Sequence, residues 1–556
     1  MNGFLVSIGY DHWILPALLG IPLVGAVVLW LQAGVGGRAG GAARQAAPEE
    51  SAAARAGVDT RTTMDEIATG VAGPARLIAL VTFLVEFVVS LGLWPMFDPG
   101  DARWQFPVDI RWIPAWGVRF TIGIDGMALM MILLTTFIMV LASLGSWTYI
   151  RTRTHSFYAL MLVLTTGMLG VFMSLDLFLF YVMWEVMLVP MYFIIGMWGG
   201  ERRLYASLKF FIYTMVGSML MLAAIVYLGL AARSRATGIP IFNYDYILQN
   251  VVVSPTAALW LFGAFFMAFA VKVPMFPFHT WLPDAHVEAP TAGSVVLASI
   301  MLKLGTFGFL RLAVPLFPSA ALNQTVRSII LGLAVIGIVY GALVSMVQTD
   351  FKKLVAYSSV SHLGFVMLGI FALTVQSVQG ALMVMINHGI STGALFLLIG
   401  MIYERRHSRL IEAYGGIARV VPMFAALLTL VSLSSIGLPG TNGFIGEFLV
   451  LIGAFRTVPI FTVIATTAVI FAAAYLLWAI QRILFNAFNN PENEHLSDLN
   501  PRELLIMAPL VAAIIWLGVY PAPVLRRMEG SVERFVNVVQ GRAASQSRVV
   551  SAGDAR

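Results

Sequence analysis

The chain contains 556 residues, of which 59% are hydrophobic and 11% are charged, and its mean hydropathy is +0.87. Soluble domains carry about 25% charged residues, so this composition excludes an ordinary soluble protein and predicts a polytopic membrane protein. The formal net charge is +6, but the basic residues are scattered between apolar stretches, which excludes a continuous nucleic-acid-binding surface. Because the sequence contains no cysteine, disulfides, iron–sulfur ligation and thiol catalysis are excluded, and any redox chemistry must belong to a partner.

Apolar stretches of membrane-spanning length recur along the chain. One transmembrane helix needs about 20 apolar residues, and the sequence offers about fourteen such stretches, which predicts an all-α polytopic membrane protein. They are predicted near residues 14–32, 76–97, 122–146, 157–174, 177–197, 207–231, 257–283, 289–312, 327–348, 353–374, 378–402, 421–455, 457–486 and 502–525. The first stretch lacks a preceding basic region and a cleavage site, so we expect an uncleaved helix rather than a signal peptide.

Two segments lie outside the predicted bundle. Residues 33–75 are rich in alanine and glycine with mixed charges, and we predict a mobile cytoplasmic loop. Residues 523–556 are predicted to form a short polar tail with one amphipathic helix. The chain is thus divided into N-terminal helices with the polar loop (1–121), a transmembrane bundle (122–522) and the tail.

Basic residues in alternate loops predict the orientation. These residues are Arg151, Arg153, Arg202, Arg203, Lys352, Lys353, Arg405, Arg406, Arg409 and Arg419. Under the positive-inside rule their side is cytoplasmic, and an even number of spans then places both termini in the periplasm.

Lys272 stands in an apolar stretch of membrane-spanning length and is followed by Pro274 and Pro277. A charge near the bilayer centre is unfavourable by about 2.5 to 3.5 kcal/mol, so such a residue is a candidate functional residue. The prolines supply no N–H and crowd the carbonyls four residues before them, which predicts a helix break beside the lysine. Irregular backbone at membrane depth occurs only where it is buried in protein or lines a water-filled cavity. We therefore predict that Lys272 faces an internal polar path.

Glu185, Lys303 and Glu447 are three further charges in apolar stretches. Glu185 is either a structural carboxylate bonded to a neighbouring helix or the counter-ion of Lys272, in which case the pair would load and release a proton. Lys303 lies about 15 Å from either interface, too far to snorkel, so we interpret it as a second proton-carrying ammonium. Glu447 follows a second interruption, GLPGTNG, and either anchors that break or is the final proton acceptor.

His362 and His388 are available to connect Lys303 to Glu447. A histidine in a helix is equally compatible with a satisfied structural hydrogen bond. Because histidine titrates near neutral pH, we nevertheless predict a relay of histidines and water.

The segment HTWLPDAHVEAPT offers four possible metal ligands, His279, Asp284, His286 and Glu288. Their spacing fits no zinc pattern, so we interpret the segment mainly as loop structure and predict no metal site. The sequence also lacks a catalytic nucleophile, a phosphate-binding loop and a dinucleotide-binding fingerprint.

Four motifs carry a resemblance to a known family. They are WEVMLVPMYF around Glu185, VKVPMFPFHTWLPDAHVEAPTAGSVVLASIMLKLGTFGFLR across Lys272 and Lys303, DFKKLVAYSSVSHLGFV around His362, and LPGTNGFIGEF around Glu447. Through them the chain resembles the antiporter-like proton-pumping subunits of respiratory complex I, NADH:quinone oxidoreductase, from about residue 120 to residue 522. The resemblance implies about fourteen helices, with two inverted five-helix repeats (helices 4–8 and 9–13) in which helices 7 and 12 are broken.

The resemblance also implies functional residues and partners. The proton-transfer residues would be Glu185, Lys272, Lys303, His362, His388 and Glu447. No cofactor would be bound by this chain, whereas NADH, FMN, iron–sulfur clusters and quinone would be bound by partner subunits. The membrane partners would be the related L and N subunits, in a bacterial inner membrane. Those subunits, and the D subunit of the multi-subunit sodium/proton antiporters, carry a lysine at the position of Glu447. The segment 33–75 departs from the family pattern, so no shared role follows for it.

The function we predict is proton translocation by a non-redox subunit of complex I. Moving one charge against the membrane potential requires about 2.3 kcal/mol per 100 mV, so the chain needs partners in which quinone reduction supplies the energy. One alternative is a subunit of a multi-subunit sodium/proton antiporter. Another is a passive scaffold, for which replacing Lys272 by alanine would leave pumping intact.

Overall fold

The computed structural model describes residues 2–46, 60–101, 103–488 and 490–554, and these residues form a predominantly helical membrane protein. The first two long helices are α1 (Tyr10–Ala46) and α2 (Thr60–Leu91). They are followed by α3 (Gly126–Gly145), α4 (Thr154–Met173), α5 (Leu177–Trp198), α6 (Arg203–Ala231), α7 (Pro255–Lys272), α8 (Trp281–Glu288), α9 (Thr291–Leu316), α10 (Gln324–Met346), α11 (Phe351–Ala372), α12 (Val375–Arg406), α13 (Pro422–Ile436), α14 (Asn442–Phe455), α15 (Pro459–Phe485), α16 (Pro501–Val519) and α17 (Ala522–Asp554). Shorter helices occur at Asn2–Ser7, Leu93–Met96, Tyr244–Asn250 and Pro318–Ala321.

Within these described ranges, 13 helices are long and apolar enough to cross a membrane. Two shorter apolar helices, α13 and α14, share the predicted stretch 421–455 and together complete the predicted set. The all-α polytopic fold is therefore confirmed. The inverted relation between helices 4–8 and 9–13 stays a prediction.

Both predicted helix breaks are present. The first separates α7 from α8, and α7 ends at Lys272, directly before the proline-containing segment. The second separates α13 from α14, with Gly437 at φ 88°, a left-handed conformation that glycine adopts without steric cost. Since α8 runs from Trp281 to Glu288, the prediction of loop structure for HTWLPDAHVEAPT was wrong over those residues. The helix tolerates Pro283 because this residue falls in the first turn, where backbone N–H groups have no partner within the helix.

A β-hairpin that the sequence analysis missed precedes α3. Strands β1 (Gln105–Ile113) and β2 (Val118–Ile124) pair antiparallel, and Arg119 of β2 forms an ion pair with Asp109 of β1 at 2.6 Å. Because β2 occupies residues 118–124, the third span begins at Gly126 and not near 122. Asp125 caps that helix, since its carboxylate accepts from the Ala128 N–H at 2.9 Å.

The C-terminal helix α17 covers almost the whole predicted tail and is docked against the bundle. Arg527 lies over the Trp94 ring at 3.7 Å, and the Gly126 N–H donates to the Ser531 hydroxyl at 2.8 Å. Further along, the Arg542 guanidinium donates to the Pro315 carbonyl at 2.9 Å. Residues 523–545 therefore pack across the ends of α2, α3 and α9.

The predicted loop at 33–75 is partly helical. Helix α1 continues to Ala46 and α2 begins at Thr60, so the loop prediction was wrong for these two flanks. Residues 33–46 contain alanine, which has the highest helix propensity, together with glycine, which has one of the lowest, so local propensity does not predict that α1 extends this far. Residues 47–59 lie outside the described residues.

Candidate functional site: a row of buried charges

Lys272 is 1% exposed and ends α7, so its ammonium lies inside the bundle. No described residue accepts a hydrogen bond from its Nζ. Instead, Nζ lies 5.5 Å from the centre of the Trp184 ring and 5.3 Å from that of Phe210. A cation within about 6 Å of an aromatic face is attracted by the ring, most strongly by tryptophan. The two rings therefore hold the ammonium without neutralising it.

Glu185 follows Trp184 on α5 and faces the same region. Its carboxylate interacts electrostatically with Lys272 and contacts the Ser218 hydroxyl of α6, while its Oε1 is buried without a hydrogen-bond partner among the described residues. The two charges therefore share a site but do not form a direct hydrogen bond. Such a separation leaves room for the pair to change its distance.

Lys303 lies at the centre of the bundle and is 0% exposed. Residues Leu297–Met301 of α9, immediately before it, form a π-helical turn. Such turns widen a helix by one residue and occur frequently at functional sites. The Lys303 ammonium donates to the Ala298 carbonyl of this turn and lies 2.6 Å from Nδ1 of His388. The π turn thus anchors the lysine while its ammonium contacts α12.

His388 is the first of two buried histidines that continue the row. Its ring centre lies 5.6 Å from that of His362 on α11. His362 in turn contacts Glu447 of α14, with 3.0 Å between Nδ1 and Oε1. The structure therefore brings together Lys303, His388, His362 and Glu447 in one continuous series of contacts.

A small cavity lies beside the two histidines and Glu447. Its volume is about 20 Å³, which is enough for one water molecule, since a water needs a cavity of roughly 10 to 15 Å³. The cavity is lined by His362, Val384, Asn387, His388, Ser391, Thr392, Ser434, Ser435, Gly443 and Glu447. It is polar enough to hold a water that bridges the gap between the imidazoles.

Asn387, Asn442 and Ser434 form a polar network that the sequence analysis missed. The Asn387 amide donates to the Asn442 carbonyl at 2.5 Å, and the Ser434 hydroxyl donates to Asn442 Oδ1 at 2.5 Å. The network ties the start of α14 to α12 and α13, so it fixes the helix that carries Glu447. The sequence feature that could have indicated this network is Asn442, the first residue of NGFIGEF, directly after the glycine–proline break.

No contact of this kind joins Lys272 to Lys303 within the described residues. The two lysines lie on α7 and α9, which pack closely because Gly305 and Gly308 of α9 present no side chain to Phe269 of α7. Apolar packing therefore holds α7 and α9 together. The row has a polar half from Lys303 to Glu447 and a separate pair, Glu185 and Lys272.

Comparison with known proteins identifies the family. Residues 174–472 match the family described as NADH:quinone oxidoreductase/Mrp antiporter, transmembrane. The chain is also 44% identical over 471 residues to the NADH-quinone oxidoreductase subunit M of Rhodobacter capsulatus, a match that covers 83% of this chain and 90% of the relative. The chain belongs to the antiporter-like membrane-subunit family of complex I.

Solved structures of antiporter-like subunits share the fold. A chain of respiratory complex I from Thermus thermophilus with bound NADH superposes with a TM-score of 0.79 and 30% identity, covering 95% of this chain and 99% of that one. A chain of the Mrp complex from Dietzia sp. DQ12-45-1b superposes with a TM-score of 0.71, covering 96% of this chain and 56% of that one. At 20% identity, the second likeness shows the fold alone.

This antiporter-like subunit contains a third buried histidine beside the row. His286 of α8 is 0% exposed, and its ring stacks on Phe396 of α12 at 4.6 Å. Neither ring nitrogen has a hydrogen-bond partner among the described residues, and the ring interacts electrostatically with Lys303 and Lys352. In the described part of the chain, no group of three or more His, Asp or Glu side chains is arranged to hold a metal ion. The sequence analysis considered His286 only as a metal ligand and missed its position.

Glu86 is a further buried charge of this antiporter-like subunit that the sequence analysis missed. It lies on α2 and is 0% exposed, and neither carboxylate oxygen has a hydrogen-bond partner among the described residues. The nearby Ser90 hydroxyl bonds Thr136 of α3 at 2.8 Å instead. The sequence feature that could have indicated Glu86 is the one that indicated Lys272, a single charged residue within an apolar stretch. For Glu86 this stretch is LVTFLVEFVVSL.

Proposed function

We propose that the chain translocates protons across the membrane as a non-redox subunit of an NADH:quinone oxidoreductase. The observation that carries the proposal is the continuous series Lys303, His388, His362 and Glu447, in which each group approaches the next inside an apolar bundle. Each of these side chains can bind and release a proton, and buried ionisable groups in membranes mark ion pathways. A proton held by the Lys303 ammonium would pass through the two imidazoles to the Glu447 carboxylate.

Glu185 and Lys272 act in this proposal as the gate that loads the row. A carboxylate that approaches an ammonium stabilises its charged form, and a carboxylate that retreats destabilises it. Lys272 ends a broken helix, so a small displacement of α7 would change its distance from Glu185. The same displacement would alter the packing of Phe269 against α9, which carries Lys303.

The energy for transport comes, in this proposal, from quinone reduction in other subunits. The chain contains no cysteine for iron–sulfur ligation, and NADH, FMN, iron–sulfur clusters and quinone would be bound by partner subunits. The membrane partners would be the L and N antiporter-like subunits of a bacterial inner membrane. Basic residues in alternate loops support a cytoplasmic location for those loops and periplasmic termini.

The proposal is tested by measuring the number of protons pumped per NADH oxidised in proteoliposomes that contain the whole complex. We expect His388→Leu to reduce proton uptake into the vesicles about tenfold, whereas Arg456→Met, at an exposed position on α14's C-terminal side, leaves it unchanged. Normal pumping by the His388→Leu complex would contradict the proposal.

The sodium/proton antiporter alternative is tested with the same vesicles. An antiporter subunit predicts sodium-dependent proton exchange without NADH, whereas our proposal predicts proton movement only during NADH oxidation by quinone. Sodium-dependent exchange lost in His388→Leu would favour the alternative.

A further inference from the structure

A large apolar cleft opens on the surface of the bundle between α2, α3, α12, α16 and α17. Its volume is about 470 Å³, and every residue that lines it is apolar or aromatic. A cleft without polar partners does not hold ordered water, since each buried water needs two to four of them. All the helices that border it except α17 are of membrane-spanning length, so the opening faces the hydrocarbon.

The cleft is about as deep as one leaflet. Along α16 it extends from Pro509 to Leu517, and on the opposite wall from Phe87 to Trp94. At 1.5 Å per residue these segments span about 10 to 12 Å, close to half of the roughly 30 Å hydrocarbon core. The cleft therefore spans most of the leaflet on the side of α17.

The length of the cleft matches an acyl chain better than a helix. A spanning helix is about 30 Å long, whereas the cleft extends over about 10 to 12 Å, within one leaflet. A flexible acyl chain occupies a single leaflet and fits this length.

The mouth of the cleft carries positive charge. Arg527 lies over the ring of Trp94, which lines the rim, and donates to the Trp94 and Pro523 carbonyls at 3.3 and 3.2 Å. A guanidinium has five N–H donors, so this residue retains donors for a phosphate. Arg526 beside it is exposed. Trp94 and Trp516 lie at the same end, where aromatic side chains mark the membrane interface.

We propose that this cleft binds an acyl chain of an anionic phospholipid whose phosphate is held by Arg527. Ile386 and Ile390 of α12 line the cleft and flank His388 in sequence. Leu134 of α3, on the adjacent wall, packs against Gly389. The bound chain therefore supports the α12 segment that positions His388. The site rests on the cleft and its charge and does not depend on the proposed proton transfer.

The test uses the intact complex, purified from membranes that contain a phosphatidylglycerol with a photoreactive diazirine on its acyl chain. We expect illumination to label peptides from α3 and α16, and Ala513→Phe, which fills the cleft, to reduce this labelling about tenfold. Leu505→Phe is the matched control, because Leu505 lies on the same helix, is 63% exposed and does not line the cleft. Equal labelling of the two variants would overturn the site.

Against the matched control Arg526→Gln, which changes an exposed arginine on the other side of α17, the headgroup contact is tested by Arg527→Gln. It should lower the labelling by phosphatidylglycerol and leave that by a diazirine-tailed phosphatidylcholine unchanged. Equal loss with both lipids would overturn the assignment of an anionic lipid. Cross-linking of a photoreactive amino acid at position 512 to a partner subunit, rather than to lipid, would overturn the whole proposal.

Discussion

The imidazole of His362 lies 3.0 Å from the carboxylate of Glu447, through Nδ1 and Oε1, although the two residues are 85 positions apart in the chain. Both side chains are largely buried, with 9% and 12% exposure. At this distance one hydrogen bond joins the imidazole and the carboxylate directly. The helix break between Ile436 and Asn442 determines where α14 begins, and so which of its residues meets α11.

Glu447→Gln removes the final acceptor of this pair but keeps its shape. We expect the pumping rate of the complex in proteoliposomes to fall at least about tenfold, equivalent to roughly 1.4 kcal/mol in the barrier. The control is Glu412→Gln, an exposed carboxylate outside the row. Pumping by Glu447→Gln at the level of this control would contradict the role of Glu447.

Lys303→Met and His388→Leu should be non-additive. Groups that pass a proton in series act as one unit, so losing either removes the pathway and the double variant should pump no more slowly than the worse single variant. The comparison pair is Lys303→Met with Arg456→Met, which are expected to act independently. If the fold reductions in pumping rate caused by Lys303→Met and His388→Leu multiplied in the double variant, the two residues would belong to separate pathways.

Trp184 is predicted to stabilise the Lys272 ammonium through its ring. Trp184→Leu removes the aromatic face and should reduce pumping several-fold, since a desolvated cation–π contact contributes about 2 kcal/mol, whereas Trp184→Phe should retain part of the activity. Trp260→Leu, at a 78% exposed position, serves as control for loss of a tryptophan. Identical activity of the leucine and phenylalanine variants would exclude the ring contribution.

Arg311 and Asp125 form a buried ion pair at 2.8 Å, with side chains 3% and 7% exposed. Arg311→Met leaves the carboxylate unpaired and should destabilise the protein by about 3 to 5 kcal/mol, measured as a lower midpoint of thermal inactivation of the purified complex. Adding Asp125→Asn should recover much of this loss, because the amide oxygen still caps α3. The control is Arg235→Met, at an exposed position. If the Arg311→Met/Asp125→Asn double variant were no more stable than Arg311→Met, the unpaired carboxylate would not be the cause of the destabilisation.

Glu86→Met should raise the same thermal midpoint. The carboxyl group lacks a hydrogen-bond partner among the described residues, and an unsatisfied buried polar group costs about 1 to 3 kcal/mol. Glu201→Met, at an exposed position, should have little effect. A Glu86→Met complex that is stable but does not pump would show instead that Glu86 takes part in proton transfer.

The membrane spans and the polar residues of the row follow directly from the sequence. A charge such as Lys303 in an apolar stretch is visible because its cost in the bilayer is large, and proline predicts the break after Lys272 because it removes a backbone donor. These are local effects that a single sequence records. The placement of each of these residues next to its partner depends on packing between distant segments.

Other features were missed because their signals are weak or compete. The hairpin at 105–124 is short, and its apolar second strand merges with the following span. In the flank of α1 after residue 33, alanine favours a helix, whereas glycine and the charged residues favour a loop. The contacts of Asn387 and Asn442 depend on three helices meeting, which no local pattern records.

The π turn at Leu297–Met301 sets the direction in which the following residues of α9 point, and amino-acid composition does not indicate this direction. Each residue of a regular helix turns the chain by about 100°, so one residue deleted within this turn would rotate everything after it by that angle. Lys303 would then point away from His388 although every side chain of the row was still present. A comparison of related sequences that counts only matching residues would score such a deletion as nearly neutral, whereas the register of this helix decides whether the lysine meets its partner.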